Sequence, residues 1–316
     1  MIEDTRNART INNGIDLAGE GGLVWFKSRS QSGLHYQYDT ERGAGKSLAS
    51  NATYTEQSRP NTLTSFNSNG FTLGTDGDTN FSSREYVSWS FRKTPGFFDV
   101  VTYTGTGSAQ NIAHSLGSVP GMIVIKRLNS GASWTVYHRN VGPGQYVSFN
   151  TTSSVATQPA KFDNTGPTST HFTVGTASDT NGNGDSFVAY IFAHDDQSFG
   201  TNGNESIIKC GSYYGNSNAD GPHIDLGFEP QWVMIKNVDL NNTYTGWAIF
   251  DNMRGVITEG DDRPLQANNE SQEAASPNTA GNYISFTPTG FSLIGGWYAT
   301  AGSSNQMKIY VAIRRP

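Results

Sequence analysis

The sequence predicts an all-β protein built as three tandem antiparallel β-sandwich (jelly-roll-like) units. Three observations predict it. A set of short motifs recurs in the same order three times, at intervals of roughly 100 residues. The apolar runs are short, rich in β-branched and aromatic residues, and none keeps a 3.6-residue period over three turns. Charged residues make up 15% of the chain and 36 of its 316 residues are glycine, a balance that favours strands and turns over helices.

The units are expected at residues 1–95, 96–202 and 203–316, with boundaries in the turn-rich stretches Lys93-Thr-Pro-Gly96 and Gln197-Ser-Phe-Gly-Thr-Asn-Gly203. A chain of this length is near the limit of one core, and each unit is large enough to bury its own. The first recurring element is an apolar run ending on lysine: Leu23-Val-Trp-Phe-Lys27, Met122-Ile-Val-Ile-Lys126 and Trp232-Val-Met-Ile-Lys236. These runs predict buried strands, and the lysine stems are expected to cover the core edge while the ammonium reaches water or an acidic partner. Trp134-Thr-Val-Tyr137 and Trp247-Ala-Ile-Phe250 follow after polar turns as hairpin partners, with His35-Tyr36 at the tryptophan position of the first copy. Next come period-2 strands such as Tyr146-Val-Ser-Phe-Asn150 and Phe172-Thr-Val-Gly175. Gly70 and Gly290, each before a phenylalanine, predict turns at positive φ. The second and third copies open on a tyrosine-bearing strand, Val101-Thr-Tyr-Thr104 and Gly211-Ser-Tyr-Tyr214; the first copy lacks it and reads as an abbreviated, capping version.

Charge and composition exclude several functions. The net charge is −6 and no block of five basic residues occurs, so the electrostatic footprint of a nucleic-acid binder is missing. A single cysteine, Cys210, excludes an intrachain disulfide and a cysteine zinc cage. The polar Met1-Ile-Glu-Asp-Thr-Arg6 carries no secretory pattern, and no run of 18 apolar residues exists. Synthesis in the cytosol without membrane insertion is the expectation. Arg42-Gly-Ala-Gly-Lys-Ser47 lacks the first glycine of a phosphate loop, and the six histidines lack metal-ligand spacing. Asp179-Thr-Asn-Gly-Asn-Gly-Asp185 begins like a calcium loop, yet Tyr190 stands where its bidentate acid belongs, so a hairpin loop is the favoured reading. Asp39 and Asp251 each precede an arginine by three residues, Arg42 and Arg254, which predicts a turn fastened by hydrogen bonds. No catalytic, cofactor or metal residue is assigned. Tyr54, Tyr213, Tyr214, Tyr244, Trp297 and Tyr298 lie in polar or glycine-rich surroundings and are the candidates for surface recognition.

Asn13-Gly-Ile-Asp-Leu-Ala-Gly-Glu-Gly-Gly-Leu-Val-Trp-Phe-Lys27, Asp39-Thr-Glu-Arg-Gly43, Ser65-Phe-Asn-Ser-Asn-Gly-Phe-Thr-Leu-Gly74, Gly211-Ser-Tyr-Tyr-Gly-Asn216 and Trp247-Ala-Ile-Phe-Asp-Asn-Met-Arg254 together resemble a repeat domain of structural and tail-fibre proteins of marine tailed bacteriophages, including cyanophages. The resemblance implies a non-enzymatic virion protein, a tail fibre or spike-type adhesin, on the tail or capsid exterior. Its implied partners are other virion proteins, further copies of itself in a symmetric oligomer, and a host surface glycan or protein. Capsid decoration or cement, including a capsid fibre, is the alternative expectation, and a glycan-cleaving spike the third.

Overall fold

The lysine-ended runs form strands in the middle of the sheets, where both faces of a strand are covered and the sequence stays apolar without alternation. The computed structural model describes residues 7–256, 262–273, 283–297, 299–300 and 305–315. The first segment contains β1 (Arg9–Asn12), β2 (Gly22–Ser28), β3 (Tyr36–Asp39), β4 (Lys46–Ala49), β5 (Gln57–Ser58), β6 (Leu63–Asn67), β7 (Gly70–Leu73) and β8 (Tyr86–Arg92). The middle segment contains β9 (Phe98–Thr104), β10 (Gln110–Ala113), β11 (Pro120–Arg127), β12 (Thr135–His138), β13 (Gln145–Ser148), β14 (Ala156–Thr157), β15 (His171–Val174) and β16 (Ser186–Ala193). The last contains β17 (Ile208–Tyr214), β18 (Asp220–Asp225), β19 (Pro230–Asn237), β20 (Ala248–Asp251), β21 (Leu265–Gln266), β22 (Ile284–Thr287), β23 (Gly290–Ile294) and β24 (Met307–Arg314).

The protein is all-β, and its sheets are antiparallel. The large sheets run β5-β4-β3-β2-β8, β14-β13-β12-β11-β16-β9 and β21-β20-β19-β24-β17; the small ones run β1-β7-β6, β10-β15 and β18-β23-β22. One order therefore recurs three times among the described residues, although β5 and β14 have no counterpart beyond β21, β6 and β22 have none in the middle segment, and the strand beyond β16 and β24 has none beyond β8. This is the tyrosine-bearing strand whose absence from the first copy the sequence shows. The predicted hairpins form, with Val124 opposite Val136 and Met234 opposite Ile249. Gly70 has the expected positive φ of 130°. Gly290 does not have the expected positive φ; what both positions share is close approach, since a Cβ would lie 2.0 Å from Ile11 O at Gly70 and 1.9 Å from Ile224 O at Gly290.

Successive side chains of a central strand serve two cores. On β2, Leu23 and Trp25 join a large central cluster, whereas Val24 and Phe26 pack with Phe71 and Leu73 of the small sheet. On β19, Trp232 and Met234 join the same central cluster, and Val233 and Ile235 pack with Phe291 and Leu293. The expectation of a separate core in each unit is thus met only on the outer side of the first and last large sheets; in the middle segment Ile112, Phe172 and Val174 of the small sheet belong to the central cluster as well. Trp25, Trp134, Phe149, Tyr190 and Trp247, from all three segments, meet in one interior.

Equivalent hydrogen bonds close the segments into a ring. Glu56 N donates to Leu128 O, Val155 N to Val238 O, and Glu273 N to Arg29 O, at 2.7–2.8 Å. Each bond joins one segment to the next, and the third returns to the first. The recurrent lysines sit at the same junctions. Lys27, Lys126 and Lys236 are fully buried, so their ammonium groups do not reach water as one branch of the expectation had it, while the acidic groups of Glu270 and Glu273 act on Lys27. Lys126 Nζ donates to Ala132 O in its own segment and Thr53 O in the preceding one; Lys236 Nζ repeats this with Thr245 O and Thr152 O. The loops fold over the lysine end and replace water with carbonyl groups.

The Asp-x-x-Arg turns are fastened as predicted and also span the junctions. Asp39 accepts from Arg42 N and Arg42 Nε at 2.9 and 2.6 Å, and from Tyr190 Oη of the middle segment at 2.8 Å. Asp251 accepts from Arg254 N and Nε at 3.0 and 2.6 Å, and from Trp89 Nε1 of the first segment at 2.9 Å. In the middle segment His138 stands at this corner. Its Nδ1 accepts from Asn140 N, which leaves Nε2 to donate to the Tyr310 carbonyl at 3.2 Å. Burial holds the ring neutral by pushing its pKa down to about 4. Tyr190 and Trp89 supply a side-chain donor where the corner is acidic. The corresponding residue opposite His138 is Val311, with no donor to offer. Asp39→Asn keeps the shape but removes the charge facing the buried Arg42, and is expected to cost about 2 kcal/mol in urea unfolding. A double-mutant cycle with Tyr190→Phe checks this, because coupling across the junction makes the two losses less than additive.

The calcium-like loop is held by cations of the chain. Asp179 pairs with Lys161, Asp185 pairs with Arg127 at 2.7 Å, and Asn181 Nδ2 donates to Ser108 O and Gly175 O. The hairpin-loop expectation is not met, because Ser178–Asn181 form one helical turn and the segment links β15 to β16, which lie in different sheets; its acids are nonetheless compensated within the chain.

Candidate recognition cleft

Two clefts of similar size open on the described surface, and one of them contains a sequence-predicted recognition residue. It lies on the first segment, where Tyr36 of β3, opposite Ala49, and Ser47 of β4 line one cleft together with Tyr54 of the following loop. The cleft encloses ≈ 360 Å³ and is lined by Tyr36, Ser47, Tyr54, Gln57, Arg59 and Asp78 among others. Smaller side chains at two aligned positions, Ser47 for Tyr146 and Thr62 for Lys161, distinguish it from the middle segment. Ser47 pairs with Gln57 as Tyr146 pairs with Ala156 in the middle segment, so serine stands where the middle segment carries an aromatic ring. There, Lys161 Nζ lies 4.1 Å from the centre of the Tyr146 ring and fills the space.

The polar floor is a carboxylate–guanidinium fork. Arg59 Nη2 donates to Asp76 Oδ2 at 3.0 Å and to Asp78 Oδ2 at 2.7 Å, while its Cζ lies 4.8 Å from the Tyr36 ring centre. Tyr36 Oη donates to the same Asp78 oxygen at 2.8 Å. Asp78 N–H in turn bonds Asp76 Oδ1 at 2.8 Å, which fixes the turn holding both acids. Burial and the Asp78 hydrogen bond raise the Tyr36 pKa, so its hydroxyl stays a donor. At Asp78, burial works against ionisation, but hydrogen bonds from Arg59 and Tyr36 outweigh it and hold the pKa low. A charged fork beside aromatic faces offers stacking and directional hydrogen bonds of the kind that flat, hydroxyl-bearing ligands can use. Asp76 and Asp78 are both engaged by Arg59, so neither is poised as an acid or base for chemistry.

Of the six predicted recognition residues, only Tyr54 lines this cleft, and it is 58% exposed. Tyr214 and Tyr244 are also exposed, at the end of β17 and in the hairpin loop before β20. Tyr213 is buried, with its hydroxyl bonded to Thr300 O at 3.1 Å, because successive residues of a strand face opposite sides and Tyr214 takes the outer one. Trp297 is half-buried against Phe250 and Tyr283, where it supports the outer core of the last segment. Tyr298 lies outside the described residues. Sequence reasoning missed Tyr36, Arg59 and Asp78. Their signal is the pair of small residues at positions 47 and 62, which becomes readable only once the strand register aligns the segments.

Residues 7–314 match a family described as a domain of unknown function (DUF7483). No curated protein and no solved structure matches the chain.

Proposed function

The chain belongs to the DUF7483 family, and from its geometry we propose that it is a non-enzymatic structural protein of a phage virion, a tail fibre or spike-type adhesin that contacts the host surface. The observation that carries this reading is the ring. In it three segments, each proposed to be a jelly-roll-like sandwich unit, close through equivalent bonds as three subunits of a trimer would. Such a body matches a threefold-symmetric mount while leaving its loops free to diverge. The first-segment cleft supplies the adhesive element: Tyr54 at its rim and the Arg59–Asp78 fork on its floor suit a host surface glycan. The resemblance of the repeated motifs to tail-fibre sequences supports the same assignment, with the virion exterior as location and other virion proteins as partners.

Purified protein applied to host cells is expected to bind without releasing sugar from their polysaccharide. Tyr54→Ala and Arg59→Ala are each expected to weaken that binding by about tenfold. Sugar release by the wild-type protein would replace the adhesin with a spike enzyme. Capsid decoration is the second reading. Counting copies in purified virions separates the two: on the order of a few dozen favours the tail, and several hundred the capsid.

A further inference from the structure

The second cleft lies where the first segment lacks a strand. It encloses ≈ 370 Å³ between β8 and the last segment, and its lining includes Ser88, Ser90 and Phe91 together with Trp232 and Ile313. Arg29 N donates to Glu85 O and Lys93 N to Gly21 O, so the odd-numbered residues of this stretch bond to β2. The N–H and C=O groups of Ser88 and Ser90 therefore face the cleft, and no described residue pairs with them. In the other two segments the same lane is filled. β9 lies antiparallel to β16, with Ile191 opposite Asp99, and β17 lies antiparallel to β24, with Ala312 opposite Lys209. Ala193 N and Arg314 N donate outward to Phe97 O and Ile207 O at 2.9 Å.

The filled lanes define what fits the open one. Each begins with a large apolar side chain, Phe98 or Ile208, fully buried. Phe98 packs against Phe91 of the preceding segment and Phe192 of its own, at 5.7 and 5.0 Å between ring centres. The corresponding neighbours in the open lane are Ile313 and Phe91, both in the cleft wall. Two residues on, each lane carries a buried smaller group, Val100 or Cys210. Five residues on, each carries a tyrosine whose hydroxyl reaches a carbonyl, Tyr103 to Thr180 O and Tyr213 to Thr300 O. Trp232 Nε1, beside the open lane, is a buried donor with no partner. Tyr86–Arg92 also contains neither proline nor lysine, the residues that guard an edge against unwanted pairing.

We propose that the free edge of β8 is a strand-acceptor site. An extended, nearly neutral segment of a partner polypeptide adds antiparallel to Tyr86–Arg92, seats a large apolar side chain between Phe91, Trp232 and Ile313, and carries a smaller apolar residue two positions on and a tyrosine five positions on. Backbone bonds to Ser88 and Ser90 supply the affinity and the apolar pocket sets the register. The inference stands on the fold and is independent of the virion assignment.

The probe is a capped peptide copying Phe97–Thr104, added to the full chain. Exchange of the Ser88 and Ser90 amides, followed by NMR, is expected to slow by more than about tenfold at saturating peptide. A peptide carrying Phe98→Asp is expected to leave them unchanged, and because that change is in the probe, the folding of the protein is not in question. Ser88→Pro in the protein removes an outward N–H without touching the β2 ladder and is expected to abolish the effect. The proposal is overturned if the peptide protects neither amide or if the Phe98→Asp peptide protects them equally. It is overturned as well if the amides of the free chain are already protected, either by its own residues or by a second copy seen as a dimer in sedimentation.

Discussion

Trp134→Ala is expected to destabilise the whole molecule, not the middle segment alone. Trp134 is fully buried, lies against Phe149 and Tyr190, and donates from Nε1 to Ala49 O and Ala52 O of the first segment at 3.0 and 3.1 Å. Truncation leaves a cavity at the centre of the shared core and removes the donor from two carbonyls, a combined loss of about 4 kcal/mol. Native stabilities are of the order of 5–15 kcal/mol, so this is a large fraction of the total. Calorimetry is expected to show one transition displaced to lower temperature by roughly 6 °C. Near-ultraviolet dichroism, which reports the packing of Trp232 and Trp247 in the last segment, should move with it. Three autonomously folded units would behave differently: a middle transition would fall while the others stayed in place, and that pattern would refute the shared core. Trp134→Phe, which fills most of the volume but lacks the donor, should show a smaller loss of the same cooperative kind.

Why the strands are legible in the sequence and the centre is not follows from the range of the interactions. A run such as Met122 to Lys126 announces a central strand because both its faces are covered, and that condition leaves its mark on five consecutive residues. The Asp39–Arg42 turn is equally local, closing over three residues. Trp134 looks the same in sequence whether it packs in its own unit or reaches across to Ala49, since its partners there are backbone carbonyls that leave no trace in residue identity. The lysines mislead for the same reason. A lysine at a strand end usually runs its stem to water, and only the fold shows that Thr53 and Thr152 carbonyls come from neighbouring segments to meet Lys126 and Lys236. Tyr213 and Tyr214 show a third limit: alternation requires one of the pair to be inside, but the register that selects Tyr213 is set by its pairing with Lys308 on a strand almost 100 residues away. The recognition cleft is distinguished by two residues smaller than their middle-segment counterparts, a feature with no motif of its own.

Stability is expected to rise with pH from about 7 to about 10, opposite to the usual alkaline decline. Lys27, Lys126 and Lys236 are buried in the ring junctions, and desolvation pushes their pKa values down to about 8, 8 and 7. Each amine makes two hydrogen bonds to carbonyl oxygens, the number a neutral amine can donate, so loss of the proton leaves the contacts intact. In the unfolded chain the same lysines titrate near 10.4. Between those values the unfolded state binds more protons than the folded one, and stability therefore increases with pH, by on the order of 1–3 kcal/mol for each lysine. Above pH 10 the tyrosines reverse the trend. Burial raises Tyr310 to about 12 and lifts Tyr36 and Tyr190 as well, so their contribution is present below the unfolded value of about 10 and is lost as the pH climbs past it. Urea midpoints measured from pH 6 to 11 should therefore peak near pH 9–10. Lys236→Met removes the most strongly shifted of the three and is expected to flatten the rise, even though orphaning Thr152 O and Thr245 O lowers stability at every pH. A midpoint that stays level or falls between pH 7 and 9.5 would mean that the junction lysines keep their protons in the folded state.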